Sequence, residues 1–411
     1  MNIAASPGVK PRQETPVLSG GEFVYVGDTA NGQAAVIAGP GCSVSLARLN
    51  KGILSSRQTL RRPCSHTLDV VTSYGLPYVV DISAAGQVRL LPVPTVSQPL
   101  QQSNFIDTPL ANEMSFAVPE AVWAQQTGWQ VAVGEQWIIM RVNTPDETLV
   151  QWINRNNPTQ IVRQQYSPDQ PMVLLPETRQ VMLINNNVLT FVDRSNQRLH
   201  QLTVAQNVRW ADTIVKNRSV FVALANNTLV RLSLYNQAGI LRYQPAYNIA
   251  LQANEVPVAL YAHASVNGIA AITSQRQLLL INRISGEVLE RTQLPMQPTG
   301  VSWFDSRVYV YGPDAYIRHE VRNMAGLSTT NSLLMPHLYE GYPAPDQIWQ
   351  TSSASDYQEI KMSLMPLLIG SLKASSLALL IAIPLALGAA VYTAYFARPR
   401  VRDSIKPTIE M

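Results

Sequence analysis

Five histidines and two cysteines are the side chains of this sequence best suited to metal binding or nucleophilic catalysis. The histidines are His66, His200, His263, His319 and His337. None follows another at a spacing of three or four residues, so no helix face presents two of them to one metal ion. The His-Glu-x-x-His, EF-hand and Gly-x-Ser-x-Gly patterns are also missing from the sequence. We therefore predict structural or surface histidines and assign no catalytic, cofactor-binding or metal-binding residue.

Cys42 and Cys64 are too few for a disulfide scaffold or a four-cysteine zinc site. If the domain lies outside the cytosol, the two side chains can form one disulfide. Two buried thiols are an equally good interpretation of the sequence.

Two stretches contain residue types that bind phosphate or other anions. Residues 39–43 read Gly-Pro-Gly-Cys-Ser, but no Lys-Ser or Lys-Thr pair follows, as a phosphate-binding P-loop requires. We expect a turn between strands there and expect any ATP hydrolysis to come from another chain. Arg57, Arg61 and Arg62 form a small basic cluster, for which a solvated loop is the simpler interpretation.

The composition is that of a folded chain without a nucleic-acid surface. Hydrophobic residues make up 46% and charged residues only 14%, with a net charge of +4. Disorder requires low hydrophobicity with high net charge, and nucleic-acid binding requires concentrated Lys and Arg. Both classes are therefore excluded.

One segment is long and apolar enough to cross a membrane. Residues 374–397 contain no charged side chain, and as a helix they span about 36 Å, enough for a hydrocarbon core of about 30 Å. Pro384 and Gly388 inside it are tolerated in membrane helices. Residues 362–372 are also apolar, so we predict a transmembrane helix region over residues 362–397.

The charges that flank this segment predict its orientation. Arg398, Arg400, Arg402 and Lys406 follow it, which places the C-terminal tail in the cytoplasm by the positive-inside rule. The large N-terminal domain is then outside, yet residues 1–23 have no signal-peptide pattern. We therefore expect that this chain is a fragment whose upstream membrane anchor is missing.

Short apolar runs alternate with polar turns through residues 21–325, which is typical of β-hairpins. One apolar run in each of seven hairpin-like units begins at or near Val24, Val79, Val131, Val181, Val220, Ile269 and Val308. The units recur roughly every 40 to 55 residues, as do propeller blades of four strands. We predict a mainly β fold, a propeller of about seven blades followed by a transmembrane α-helix. A pair of β-sandwiches plus the helix is the alternative.

These observations divide the chain into five parts. They are a flexible N-terminal segment (1–20), a propeller-like periplasmic domain (21–325), an extended linker (326–361), a transmembrane helix region (362–397) and a cytoplasmic tail (398–411). The tryptophans fall mainly in the second part, where we expect them to act as wedges between blades.

The C-terminal 70 residues resemble a family of transport proteins. Residues 342–353 read YPAPDQIWQTSS, residues 361–374 read KMSLMPLLIGSLKA, residues 383–396 read IPLALGAAVYTAYF, and residues 402–410 read RDSIKPTIE. In order and spacing these segments are similar to phosphate ABC-transporter permeases of the PstC type, in the long bacterial form with a large periplasmic insertion. Lys406, Pro407 and Glu410 match the opening of the family's ATPase-coupling loop.

The resemblance implies a permease fragment of an ATP-driven importer of inorganic phosphate in the bacterial inner (plasma) membrane, with no cofactor. The implied partners are a second permease subunit, ABC ATPase subunits that hydrolyse the ATP, a periplasmic phosphate-binding protein and membrane lipid. By this interpretation the chain is a transporter subunit and not an enzyme. The alternative is a single-pass propeller that acts as an envelope scaffold or sensor. A membrane-anchored quinoprotein-like enzyme is a third possibility, but no cofactor site supports it.

Overall fold

The computed structural model describes residues 9–16, 21–29, 32–50, 53–61, 63–73, 76–93, 113–352, 356–401 and 403. These residues form seven four-stranded antiparallel sheets, one two-stranded sheet and a long C-terminal helix. The first strand, β1 (Val9–Pro16), belongs to the last of the seven blades.

The strands follow one another blade by blade along the chain. Blade 1 contains β2 (Glu22–Thr29), β3 (Gly32–Gly39), β4 (Ser43–Asn50) and β5 (Ile53–Arg61). Blade 2 contains β6 (Thr67–Ser73), β7 (Leu76–Ile82), β8 (Gln87–Pro92) and β9 (Met114–Ala117). The short helix α1 (Glu120–Trp123) leads to blade 3, which contains β10 (Gly128–Val133), β11 (Trp137–Asn143), β12 (Thr148–Asn154) and β13 (Asn157–Tyr166).

The remaining blades repeat this order. Blade 4 contains β14 (Met172–Leu175), β15 (Gln180–Asn185), β16 (Val188–Val192) and β17 (Arg198–Thr203). Blade 5 contains β18 (Val208–Thr213), β19 (Ser219–Leu224), β20 (Thr228–Gln237) and β21 (Ile240–Ala250). Blade 6 contains β22 (Pro257–Ala262), β23 (Gly268–Thr273), β24 (Gln277–Asn282) and β25 (Val288–Gln293). Blade 7 contains β26 (Gly300–Phe304), β27 (Arg307–Tyr311), β28 (Ala315–Val321) and, as its fourth strand, β1.

The seven blades form a closed ring. Neighbouring blades contact each other in sequence, and the ring closes where β26 of blade 7 contacts β2 of blade 1. The predicted propeller of about seven blades is therefore confirmed, and the sandwich alternative is wrong. Each sequence marker lies in a different blade, with Val24 and Val131 on first strands and the other five on second strands, which explains the uneven spacing.

Residues 9–16 of the N-terminal segment, which we predicted to be flexible, form a strand, and the rest of that segment lies outside the described residues. β1 pairs with β28 in antiparallel register from Val9 opposite Val321 to Pro16 opposite Ala315. The start of the domain thus supplies the edge strand of its last blade. Prolines and charged residues interrupt this strand, which is tolerated at a sheet edge but hides the strand from pattern analysis.

The hydrophobic core consists of seven clusters, one at each junction between neighbouring blades. A single sheet cannot cover both of its faces, so each blade depends on its two neighbours. Central strands such as β19 are buried over their whole length, because both faces pack against other blades. Trp137 and Trp152 fill the junction of blades 3 and 4, and Trp303 fills that of blades 6 and 7, as expected of wedges.

The described residues of the segment that we expected to be an extended linker are folded. It contains a 3₁₀ turn (Met324–Leu327), helix α2 (Thr330–Leu334) and a small hairpin of β29 (Trp349–Gln350) and β30 (Lys361–Met362). We call residues 326–364 the strap. Small and polar composition suggested a linker, whereas hydrogen bonds and charges in fact attach the strap to the propeller.

The C-terminal helix α3 (Met365–Val391) continues as a π-helical turn (Tyr392–Phe396). Within the part of the chain that the structure describes, it is the one helix long and apolar enough to cross a membrane, and its apolar window is not buried against the protein. This agrees with the helix region predicted for residues 362–397.

Candidate functional site

The strap lies on one particular face of the propeller. Successive strands of a blade run in opposite directions, so the turns between strands 1 and 2 and between strands 3 and 4 share one face. The strap contacts blades 5 to 7 on this face, which we call the strap face. The opposite face carries the turns between strands 2 and 3, among them the residues 40–42 turn that contains Cys42.

Two arginines of the propeller meet two glutamates of the strap in a buried cluster. Arg231 is on β20, Arg283 directly follows β24, and both guanidinium groups are completely buried. Glu340 Oε1 accepts from Arg231 Nη2 at 3.2 Å and from Arg283 Nη2 at 2.9 Å. Glu359 Oε1 pairs with Arg231 Nη2. The four formal charges cancel, so the cluster has no net charge.

Further hydrogen bonds hold these four side chains in place. Ser219 Oγ donates to Glu340 Oε1 at 2.7 Å and accepts from Arg231 Nε at 2.9 Å. Arg283 Nη1 donates to the carbonyl of Tyr357 at 2.9 Å, and the backbone N–H of Glu340 donates to Glu359 Oε2 at 2.7 Å. Strap and blades are therefore joined by one charge-assisted network, in which each bond is stronger than a neutral one.

Burial and the neighbouring charges together set the pKa values of Glu340 and Glu359. Burial alone would raise the pKa of Glu340, but Arg283 and Arg231 outweigh it and hold that pKa below its usual value. Burial raises the pKa of Glu359, and the neighbouring Glu340 charge adds to this despite Arg231. Removing any one charged member of the cluster leaves a buried charge uncompensated, which is strongly unfavourable.

Hydrogen bonds from the Asn267 side chain and from the backbone extend the attachment along the strap. Asn267 donates to the carbonyl of Ile360 at 2.5 Å and accepts from its N–H at 2.9 Å. Gly341 N–H donates to the carbonyl of Leu234 at 2.7 Å. Leu327 packs with Trp303 in the core cluster of blades 6 and 7. The strap is thus anchored at several points from its first residues to its last.

The strap is equally well connected to the C-terminal helix α3. The N–H of Leu364, the residue before α3, donates to the carbonyl of Leu333 in α2 at 2.7 Å, and Ser363 N–H donates to Ile348 at 2.9 Å. Helix α2 itself has a capping box between Thr329 and Ser332. A continuous set of hydrogen bonds therefore runs from the blades to the first turn of α3.

A cavity of about 770 Å³ opens beside the strap, lined by Glu135, Arg155, Glu177, Lys216 and Arg218 among others. It shares Ser73, Glu177 and Lys216 with the central channel, a space of about 370 Å³ between the inner strands. The Oγ of the buried Ser73 has no hydrogen-bond partner among the described residues.

Two strap residues form part of the cavity wall. They are Gly341 and Gln358, the direct neighbours of Glu340 and Glu359 in the buried cluster. In the cavity wall, burial, with a contribution from Arg218, lowers the pKa of Lys216. In the channel, burial raises the pKa of Asp212 to about 6. The cavity thus presents charges of both signs next to the point where strap and propeller join.

The described residues among those singled out in the sequence lie at separate places in the structure, away from the buried cluster. Cys42 and Cys64 form a disulfide, with Cα atoms 5.1 Å apart. Lys406, Pro407, Glu410 and Arg62 lie outside the described residues, and Arg57 and Arg61 lie on β5. The described residues contain no group of three or more metal-ligating side chains. That the chain is not an enzyme stays a prediction.

No sequence pattern predicted the buried cluster. One signal is present, since Arg231 interrupts the otherwise apolar residues 229–232, where a charge needs a partner. Nothing in the sequence indicated that the partners would be Glu340 and Glu359, which lie more than a hundred residues further along the chain.

Comparisons with known proteins show the fold. No family model matches the chain, and no curated protein matches it. Among solved structures it is similar to the β-propeller domain of Cps50 (Swd1) from Myceliophteria thermophila, with a TM-score of 0.50 and 12% identity over 75% of this chain and 99% of that one. BBS1N, solved in complex with ARL6DN, has a TM-score of 0.49 and 12% identity over 79% of this chain and 100% of that one.

These findings contradict the identification as a phosphate permease of the PstC type. No family model or curated protein supports it, and the Cps50 (Swd1) β-propeller domain matches 75% of this chain. Nothing in the comparisons supports phosphate transport, and the implied permease, ATPase and phosphate-binding-protein partners stay untested. The comparison shows a β-propeller, which in this chain has seven blades and is followed by one long apolar helix.

Proposed function

We propose that this protein is a single-pass membrane scaffold whose propeller is held in a fixed position on its membrane helix by the strap. The observation that carries the proposal is the buried cluster of Arg231, Arg283, Glu340 and Glu359, which joins blades 5 and 6 to the segment leading into α3. Propellers are widely used as rigid surfaces that bind other proteins.

The energetics of the strap favour a rigid connection over a tether. A flexible linker needs no contact with the domain that it carries. Here two carboxyl groups give up their hydration: two arginines hold the pKa of Glu340 below its usual value, and Glu359 pairs with Arg231. Positions of the strap that break these pairs are therefore strongly disfavoured. Buried polar networks of this kind favour one arrangement over its alternatives.

Two features support a propeller on the non-cytoplasmic side. Arg398 and Arg400 follow the helix directly, and basic residues flank the cytoplasmic ends of membrane helices. The Cys42–Cys64 disulfide suits an oxidising compartment. This arrangement requires membrane lipid as a partner, because α3 is surrounded by it.

Thiol labelling of intact cells that express the chain tests this arrangement. Asn226→Cys, on an exposed turn of the propeller, and Val401→Cys, beyond the helix, are compared with a membrane-impermeant maleimide. We expect labelling of the first before lysis and of the second only after lysis. Recovery of the chain in the soluble fraction, or the reverse labelling pattern, contradicts the proposal.

A sensor is the second candidate function, favoured by the position of Gly341 and Gln358 in the cavity wall beside the buried cluster. A ligand in the cavity would contact the strap directly. Native mass spectrometry of the purified full chain tests it, since a bound small molecule should be present in the wild type and lost in Leu241→Trp, which fills the cavity. A wild type without bound ligand favours the scaffold alone.

A further inference from the structure

The exposed large apolar side chains of the propeller and strap are all associated with one face. Among the described residues before α3, four such side chains are exposed by more than a third: Ile240 (37%), Phe304 (43%), Met335 (55%) and Trp349 (39%). Ile240 begins β21 at a turn between strands 3 and 4, and Phe304 ends β26 at a turn between strands 1 and 2. Both turns belong to the strap face.

The other two side chains lie next to the membrane helix. Met335 follows α2, whose Leu333 carbonyl accepts the N–H of Leu364 just before α3. Trp349 pairs in β29 with Met362, three residues before α3 begins. Turns of the opposite face, such as residues 225–227 and 274–276, are polar or carry small side chains. The exposed apolar residues therefore lie either on turns of the strap face, as Ile240 and Phe304 do, or in the strap beside the residues that lead into α3, as Met335 and Trp349 do.

Basic side chains accompany this patch. The Arg307 guanidinium lies 5.8 Å from the centre of the Phe304 ring, and Lys361 Nζ lies 5.1 Å from that of Tyr342. Trp and Tyr are enriched at the level of lipid headgroups, and Lys and Arg reach headgroup phosphates while their stems stay in apolar surroundings. A bilayer surface matches both properties, whereas water matches only the second.

We infer that the strap face lies on the bilayer surface, with Trp349 and Met335 in the headgroup region beside α3 and with Phe304 and Ile240 touching the same interface. The inference rests on the proposed membrane anchoring and adds to it a defined orientation of the propeller. The cavity then opens toward the membrane surface, so that any ligand reaches it along the interface.

Quenching of Trp349 fluorescence by brominated lipid tests the inference on the full chain. The chain is reconstituted into phosphatidylcholine–phosphatidylglycerol vesicles with or without bromine at the headgroup end of the acyl chains. The difference between wild type and Trp349→Phe isolates the emission of Trp349. We expect most of that emission to be lost in brominated vesicles, whereas the emission removed by Trp210→Phe, on the inner strand β18, should be hardly quenched.

A second pair of variants tests whether the quenching of Trp349 requires contact between the apolar patch and the lipid. Met335→Glu places a charge in the patch and should reduce the quenching of Trp349, whereas Asn226→Glu on the opposite face should leave it unchanged. Equal Trp349 emission in both kinds of vesicle overturns the inference and indicates that the patch faces water or another protein. Extraction of the chain by alkaline carbonate is a separate measurement: if α3 resists extraction while Trp349 is unquenched, anchoring stands and only the orientation is wrong.

Discussion

Arg231 lies in β20 and Arg283 directly follows β24, and both arginine side chains are fully buried. Glu340 and Glu359 compensate their charges inside the protein, and Ser219 and the Tyr357 carbonyl add hydrogen bonds. Arg283 Nε and Glu340 Oε2 have no partner among the described residues. The cluster adds little stability compared with apolar residues of the same volume, but it penalises any state in which one member is missing. Its effect is therefore to select one position of the strap.

We expect Glu340→Ala to lower the free energy of unfolding by about 3–5 kcal/mol, because it leaves Arg283 and Arg231 partly unpaired in the interior. Denaturant unfolding of the detergent-purified chain measures the change. Asp314→Asn, an exposed carboxylate on the opposite face, is the matched control and should change stability by less than about 0.5 kcal/mol. Equal effects of the two substitutions would mean that the cluster is not buried as described.

His319 gives a second residue-level prediction. It is 1% exposed on β28, neither ring nitrogen has a partner among the described residues, and burial lowers its pKa to about 4. The unfolded chain binds a proton at this side chain below about pH 6.5, whereas the folded chain does so only near pH 4. The contribution of the neutral, buried His319 side chain to the free energy of unfolding is therefore fully present above about pH 6.5 and is lost as the pH falls toward 4.

Replacing the histidine isolates this contribution. Between about pH 6.5 and 4, the free energy of unfolding of His319→Leu should fall less than that of the wild type, by on the order of 3 kcal/mol. Denaturant midpoints at several pH values measure it. A variant that keeps the full acid dependence of the wild type would show that other groups cause it.

At the level of strands and helices, the sequence predicted those elements that are buried on both faces. The runs at Val181, Val220 and Val308 lie on second strands, which pack between two neighbouring blades and are therefore continuously apolar. Outer strands such as β17 alternate between exposed and half-buried residues. β1 has no apolar run at all, because hydrogen bonds to β28 define it and apolar packing does not.

Truncation tests the role of β1 in closing the ring. Removal of residues 1–16 leaves the edge of β28 unpaired, and an open sheet edge promotes both unfolding and association. We expect a lower melting temperature and more light scattering on heating than for the control that lacks only residues 1–8. Indistinguishable melting of the two truncated chains would contradict closure by this strand.

For the whole molecule, the sequence predicted a propeller and a membrane helix but not how they are connected. Propeller and helix both follow from hydrophobic patterns that repeat or persist over many residues. The position of the strap depends on four charged residues distant in sequence and on backbone hydrogen bonds, neither of which has a periodic signature. The predicted extended linker was wrong for this reason, since Glu340 and Glu359 look like ordinary surface residues until Arg231 and Arg283 are placed beside them.

The distance between strap and propeller tests this connection most directly. Spin labels are attached at Gln350→Cys in the strap and Asn226→Cys in blade 5, since the native cysteines are joined in a disulfide. Double electron–electron resonance on the reconstituted chain should give one narrow distance distribution, which Glu340→Ala should broaden and Asp314→Asn should not. A broad distribution in the wild type, as a flexible linker gives, would contradict a propeller held rigidly on its membrane helix.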